Sequence, residues 1–569
     1  MNRYSFFLTS SLEKVFPDSR PERMAQGSRL SAWRGTRAAV QLVSYADPAV
    51  PGIPNQPFQL EISGGPCPCT LRSVELIPSD FPCFEQTDSD YLRKTPGLYP
   101  DLLAPASHQI QPLSGQYRSL WLSWDIPRQA QPGEYPVTLT IRAVERWTLC
   151  NGVEQSDPAM AHWSVELPLT LCVGKAELPP QSLLHTEWFH SDCLASYYKV
   201  EPLSEAHWEI LERFIVDAGQ NHGVNLLLTP VFTPPLDTMV GGERPTVQLV
   251  DISRDGGCYS FGFSKLSRWC AICRRAGVTD LEIAHLFTQW GAAATPKIMA
   301  TVDGVYQQIF GWDVPATSPE YRRFLEAFLP ALRSALAQMG YGPEHLYFHI
   351  SDEPRVHQLE AYAAAKAQAA DLLEGCHMID ALSNLEFYQQ GLVPQPIPSN
   401  DHIQPFLDAG VPDLWVYYCC DQGYEVSNRF FSMPSARNRI MGVLMYLYDI
   451  KGFLQWGYNF YYSQYSIYPI DPFQVTHAGY AFPSGDAYLV YPGRDGAPMS
   501  SLRAEVQDEG LWDLRALQKL EALTDRSFVE ALIYENAPME RITFKDYPRD
   551  AAYLLKLRER VAQELELRS

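Results

Sequence analysis

From about residue 182 to residue 523, short apolar runs of strand length alternate with amphipathic helical periods, and this alternation constrains the fold more than any other feature of the chain. The strand-like runs fall at 183–188, 224–230, 280–287, 345–351, 377–384, 413–419, 452–458 and 487–491. Helical periods lie between them at 205–218, 265–276, 320–339, 356–373, 435–448 and 501–523, with the fifth and seventh connections poorly marked. Eight strand-then-helix units over residues 179–525 predict a (β/α)8 TIM-like barrel with long insertions. A doubly wound sheet shares the same local pattern.

A chain of 569 residues exceeds one ordinary core, so further units are expected. Residues 31–178 carry short alternating stretches such as Ser119-Leu-Trp-Leu-Ser-Trp-Asp125, punctuated by Pro and Gly, and read as a β-sandwich. Residues 1–30 read as a separate N-terminal segment, Leu178-Pro-Pro-Gln181 as a linker, and residues 526–569 as a C-terminal helical extension capping the barrel.

A formal net charge of -21 repels nucleic acid and anionic membranes, which require a basic footprint. The apolar patch near Phe6 and Phe7 is too short for a signal peptide, and no run approaches a membrane span, so a cytoplasmic location is the default expectation. Twelve irregularly spaced cysteines do not form a disulfide framework. Cys270 and Cys273 lack the second pair that structural zinc needs. Neither a metal nor another cofactor is expected; homo-oligomers remain open.

Leu346-Tyr-Phe-His-Ile-Ser-Asp-Glu-Pro354 carries the chemistry. An apolar strand runs into two carboxylates and then a proline, and barrel active sites are built at strand carboxyl ends. Two acids held together in a dry pocket push one proton affinity up and divide their roles. The competing reading is that Asp352 caps a helix opening near Pro354, with Glu353 in its first turn. Adjacency also bears on mechanism. A nucleophile and an acid straddling a glycosidic bond stand about 5 to 5.5 Å apart, usually on different strands. Neighbours on one strand suit another division: Glu353, protonated, donates to the leaving oxygen, while Asp352 orients an acetamido nitrogen whose carbonyl attacks C1.

Candidate sugar-binding residues follow other strand ends. They are Glu187, Trp188 and His190 after the first, Asp237 after the second and Trp290 after the third. His349 lies on the fourth, Asn384 closes the fifth, Tyr417 and Tyr418 close the sixth, and Trp456, Tyr458 and Asn459 follow the seventh. Ring faces can stack on pyranose C–H faces, although core packing explains single aromatics equally well. His185, His190 and His349 lack zincin spacing, and no serine elbow, Walker loop or dinucleotide fingerprint is present. A non-catalytic carbohydrate-binding barrel and a metal-dependent barrel hydrolase or isomerase are the alternatives.

The chain resembles glycoside hydrolase family 123 at Phe348-His-Ile-Ser-Asp-Glu-Pro354, Gly452-Phe-Leu-Gln-Trp-Gly-Tyr-Asn-Phe460 and Phe482-Pro-Ser-Gly-Asp-Ala-Tyr-Leu-Val-Tyr-Pro-Gly493. Ser501-Leu-Arg-Ala-Glu505 and Asp508-Glu-Gly-Leu-Trp512 extend the likeness. The resemblance implies a β-sandwich on a (β/α)8 barrel and exo-acting β-N-acetylgalactosaminidase activity on an oligosaccharide or glycoconjugate. It further implies acetamido-assisted retention, with Glu353 as acid/base and Asp352 orienting the acetamido group.

Overall fold

The computed structural model describes residues 3–52, 55–149 and 151–569. The N-terminal part is a sandwich of two five-stranded sheets built from β1 (Tyr4–Ser10), β2 (Arg29–Arg34), β3 (Arg37–Ala46), β4 (Phe58–Gly64), β5 (Cys69–Ser79), β6 (Gly97–Pro105), β7 (Gln109–Ile110), β8 (Arg118–Asp125) and β9 (Gly133–Ala143). A small hairpin of β10 (Arg146–Thr148) and β11 (Glu154–Ser156) precedes the long β12 (Ser164–Glu177). The sheet orders are β1-β3-β8-β5-β6 and β2-β12-β9-β4-β7. Alternation sets which face is inside: Leu167, Leu169, Leu171 and Val173 of β12 meet Val137, Leu139 and Ile141 of β9 and Ala38, Val40 and Leu42 of β3 in one core.

Within the stretch expected as a separate segment, Tyr4–Ser10 forms β1, which pairs antiparallel with β3 along its whole length. Tyr4, Phe6 and Leu8 enter the sandwich core. The same apolar patch that is too short for a targeting helix is the right length for an edge strand.

The second part contains β13 (Leu184–Glu187), β14 (Leu226–Thr229), β15 (Asp251–Asp255), β16 (Cys258–Gly262), β17 (Asp280–Ile283), β18 (Ile298–Val302), β19 (Val305–Phe310) and β20 (Leu346–Phe348). It continues with β21 (His377–Ala381), β22 (Gln395–Ile397), β23 (Trp415–Tyr417), β24 (Gly452–Gln455) and the short β25 (Tyr491–Pro492) and β26 (Pro498–Met499). Eight of these strands run parallel in two sheets, β14-β17-β20-β21-β22 and β13-β24-β23. The sheets meet at two junctions: the Asn225 N–H donates to the His185 carbonyl at 3.1 Å, and Ser399 forms a parallel bridge with Tyr417. β15, β16, β18 and β19 make a separate four-stranded sheet.

Two strand expectations change. Gln395–Ile397 is a strand hidden from pattern reading by Pro394, Pro396 and Pro398. Residues 487–491 do not join the parallel set; Tyr488 makes one antiparallel bridge to Asn459, and β25 pairs antiparallel with β26.

The helices are α1 (Ser191–Tyr198), α2 (Glu205–His222), α3 (Ser264–Ala276), α4 (Pro319–Gln338), α5 (Leu359–Lys366), α6 (Glu386–Gln389), α7 (Gln404–Asp408), α8 (Ser435–Arg439), α9 (Met441–Leu447), α10 (Leu502–Leu523), α11 (Arg526–Tyr534) and α12 (Ala551–Arg568). Ser204, Ser318 and Ser501 cap α2, α4 and α10 by accepting a backbone N–H three residues on. Gly442 and Gly510 let α9 and α10 cross closely, since a Cβ on Gly442 would lie 2.0 Å from the Gly510 carbonyl oxygen. The C-terminal α12 packs on α10 and also on β12 of the sandwich, so it bridges the two parts. Buried ion pairs complete the seam: Glu505 accepts from Arg37 at 2.8 Å and Arg72 at 2.7 Å, Asp101 pairs with Arg503 at 2.9 Å, and Asp88 pairs with Arg437 at 2.7 Å. No helix among the described residues is long and apolar enough to cross a membrane.

Candidate active site

A pocket opens at the carboxyl ends of the parallel strands, lined by Trp188, Leu236, Asp237, Gln289, Trp290, Asp352, Glu353, Ala381, Tyr417, Cys419, Cys420, Leu454, Trp456 and Phe482. Seven of the sequence candidates converge here: Asp352, Glu353, Trp188, Asp237, Trp290, Tyr417 and Trp456. The two acids do not start a helix. The next helical turn begins only at Val356, and the Glu353 N–H donates to the Ala381 carbonyl at 3.1 Å, so the capping reading is set aside.

Three pocket residues hold left-handed backbone: Glu353 (φ 44°), Trp290 (φ 56°) and Asp237 (φ 39°). Side-chain-bearing residues avoid this region, so their neighbours must hold them there. The Trp290 N–H donates to the Asp352 carbonyl at 2.9 Å, and Ser466 Oγ donates to the Asp237 carbonyl at 2.7 Å. These contacts fix the backbone from which three pocket side chains are aimed.

Tyr417 Oη donates to Glu353 Oε1 at 2.6 Å. Both acids face the pocket half-buried, and no arginine or lysine is hydrogen-bonded to either among the described residues. Burial pushes both carboxyls up. For Asp352 the push is reinforced by the Glu353, Asp380 and Asp237 carboxyls and opposed by His349. For Glu353 the Tyr417 hydroxyl stabilises the anion. Two neighbouring carboxyls that are both pushed up compete for protons, and their titrations belong to the pair. Asp237 is also raised, to about 7, by burial.

Beneath the floor lies a buried polar layer. His349 donates to Glu282 Oε1 at 2.5 Å and to Asp380 Oδ1 at 3.0 Å. Burial opposes the imidazolium, but these two carboxylates outweigh it and raise the His349 pKa to about 10. Glu282 also accepts from the Trp188 indole at 2.7 Å and from Thr186 at 2.5 Å, and Tyr362 donates to Asp380. His349 thus supports the site from below and does not line it. His285, His349 and Asp380 are close enough to suggest a metal group. A doubly donating imidazolium has no lone pair for a metal, so the residues do not fit that reading.

The remaining candidates lie outside the pocket. Glu187 is fully buried; burial raises its pKa, but Arg429 at 2.8 Å more than compensates. His190 accepts from Arg244 at 3.1 Å and donates to the Trp456 carbonyl at 2.8 Å, while burial and Arg244 lower it to about 3. Asn459 accepts the His190 N–H at 2.8 Å and so fixes that turn. Tyr418, one residue after Tyr417, points to the opposite face and donates to Asn438 at 3.3 Å. Tyr458 donates to Asp217 at 2.8 Å beside α2. Asn384 is half-buried beyond β21 and does not line the pocket. His185, His190 and His349 have separate partners and do not converge.

Sequence reasoning missed Glu282, Asp380 and Asp486. Asp486 accepts from the Trp456 indole at 2.9 Å, and burial raises its carboxyl to about 7. An acid flanked on both sides by apolar strand residues, Leu281 and Ile283 or Ile379 and Ala381, was the available signal for Glu282 and Asp380.

The catalytic-domain model of glycoside hydrolase family 123 matches residues 188–520. Pocket, acids and match define a glycoside hydrolase. The chain belongs to glycoside hydrolase family 123. A family 123 glycoside hydrolase from Clostridium perfringens, described for glycolipid glycan hydrolysis, is similar in fold with a TM-score of 0.71 at 15% identity, over 99% of this chain and 98% of that one. The xylanase 10B modules of Clostridium thermocellum give a TM-score of 0.31 at 8% identity over 89% and 93% of the two chains. Among curated proteins none matches.

Proposed function

We propose that the chain removes a terminal β-linked 2-acetamido sugar, N-acetylgalactosamine in the first instance, from an oligosaccharide or glycoconjugate, with the substrate's acetamido group as nucleophile and the eight parallel strands acting as a (β/α)8 barrel. The observation that carries this reading is the adjacent Asp352–Glu353 pair, hydrogen-bonded to no arginine or lysine among the described residues, facing one aromatic pocket. Trp188, Trp290 and Trp456 line the pocket and offer rings to a pyranose.

In the proposed sequence, the acetamido N–H donates to Asp352, which must therefore be a carboxylate. Glu353 is the carboxyl that carries the proton. Glu353 then protonates the leaving glycosidic oxygen while the acetamido carbonyl oxygen attacks C1, giving an oxazoline whose developing charge Asp352 balances. Glu353, now a carboxylate, takes a proton from the water that opens the ring, and the sugar leaves with retained configuration. Tyr417 holds the Glu353 side chain throughout.

The test is a panel of 4-nitrophenyl β-N-acetylgalactosaminide, β-N-acetylglucosaminide, β-galactoside and β-glucoside, with and without chelator. Release from acetamido sugars alone, indifferent to chelator, is expected. Release from the plain galactoside or glucoside would sink acetamido assistance and require a second carboxylate as nucleophile.

A further inference from the structure

Trp290 lines the pocket together with Glu353, and Tyr465 stands edge-on to it. The two rings are 5.7 Å apart with planes crossing at 85°, so they form a corner rather than a stack. Both remain partly in water, Trp290 38% and Tyr465 36% exposed. Their backbones are nonetheless pinned, because Asp237 ties together the loops that follow β14, β17 and β24. Asp237 Oδ2 accepts the Tyr465 N–H at 3.0 Å, its carbonyl accepts Ser466 Oγ at 2.7 Å, and its own N–H donates to Gln289 Oε1. Gln289 Nε2 donates in turn to the Thr238 carbonyl at 3.0 Å, and the Met239 N–H donates to the Tyr465 carbonyl at 3.1 Å. A ring already held in place loses little further freedom when a ligand covers it. Asp237 Oδ1 accepts no hydrogen bond among the described residues, and Asp237 lines the pocket. A ring corner beside an unclaimed carboxylate oxygen suits a pyranose, which has an apolar C–H face and a rim of hydroxyls. An alkyl chain there would leave the carboxylate desolvated and unpaired.

We propose that the Trp290–Tyr465 corner is the platform for the first sugar of the leaving group, with Asp237 as the residue that positions it. This deepens the proposed function and rests on it: Glu353 protonates the glycosidic oxygen, so the sugar beyond that oxygen lies against the rings beside Glu353. The enzyme thereby selects a glycosyl leaving group over a small alkyl one, using contacts remote from the bond that breaks.

The test compares the disaccharide β-N-acetylgalactosaminyl-1,3-galactose with methyl β-N-acetylgalactosaminide on the full-length protein. In Glu353→Gln, which holds both without turnover, calorimetric titration should show the disaccharide bound about fivefold more tightly or better, the scale of one aromatic contact. Adding Tyr465→Ala should erase most of that difference, and adding Tyr465→Phe should keep it. Tyr306→Ala, which removes an exposed ring on β19 instead, should keep it too. In the enzyme with Glu353 intact, the ratio of kcat/KM for the two glycosides should fall in Tyr465→Ala by the same factor; differences in leaving-group basicity cancel between variants in this ratio. Equal affinities for the two ligands, no binding of the disaccharide, or a difference that survives Tyr465→Ala would overturn the platform. The expected binding pattern without hydrolysis of either glycoside by the unsubstituted enzyme would tell against the proposed function and leave the platform standing.

Discussion

The pocket and the seam between sandwich and α10 both bury carboxylates, yet they treat them in opposite ways. At the seam, Glu505 lies between Arg37 and Arg72; burial alone would raise its pKa, but the two guanidiniums hold it well below the usual carboxylate range. Asp101 pairs with Arg503 at 2.9 Å in the same seam. In the pocket, Asp352, Glu353, Asp237 and Asp486 have no such ion pair, and burial leaves each with a raised pKa. The acid that joins the two parts is neutralised by cations. The pocket acids are left without a bonded one.

Breaking the pocket side should have the largest effect. Glu353→Gln is expected to lower kcat/KM for an unactivated acetamido glycoside by on the order of 10²- to 10⁴-fold. Asp352→Asn should fail even with a 4-nitrophenyl leaving group, because it impairs oxazoline formation. Steady-state kinetics on both glycosides check this, and full activity in either variant would remove the mechanism. Thermal stability should hold or rise in both, since each substitution replaces a poorly solvated acid.

On the seam side the pattern should invert. Glu505→Ala leaves Arg72 without a carboxylate and Arg37 with Asp125 alone, and unfolding free energy should fall by about 3 kcal/mol, read from denaturant midpoints. Because Glu505 is depressed in the folded state, its contribution is present above its unfolded pKa and is lost as pH falls through the folded value. A loss below about 1 kcal/mol, the size of an exposed pair, would blur the contrast between the two regions.

Tyr417→Phe is a finer probe. The hydroxyl lowers the Glu353 pKa, so its removal should shift the alkaline limb of the rate profile to higher pH and cost up to about tenfold in rate, the scale of one hydrogen bond. An unmoved limb would dissociate Tyr417 from the acid.

The smallest effect is expected from Asp486→Asn. A raised carboxyl costs stability as pH climbs from the unfolded value toward its folded value near 7. The asparagine variant, which keeps an oxygen for the Trp456 indole, should therefore gain stability relative to wild type at pH 8 but not at pH 4. Equal differences at both pH values would mean the carboxyl is not penalised.

The sequence by itself determined a good deal. Period-two alternation in β9 and β12 specified a sandwich, and recurring strand-then-helix units specified a parallel array, because burying one face imposes those spacings on the chain. The strand running into Asp352 and Glu353 placed acids at a strand carboxyl end. Tertiary structure decided what spacing cannot express. It chose Tyr417 over Tyr418 by the phase of a three-residue strand, and recruited the proline-framed β22. It removed Glu187 and His190 from the pocket by giving them Arg429 and Arg244, which lie far away in sequence. Whether a buried acid is held charged or has its pKa pushed up depends on whether a cation stands beside it, and that neighbour is supplied only when the chain folds.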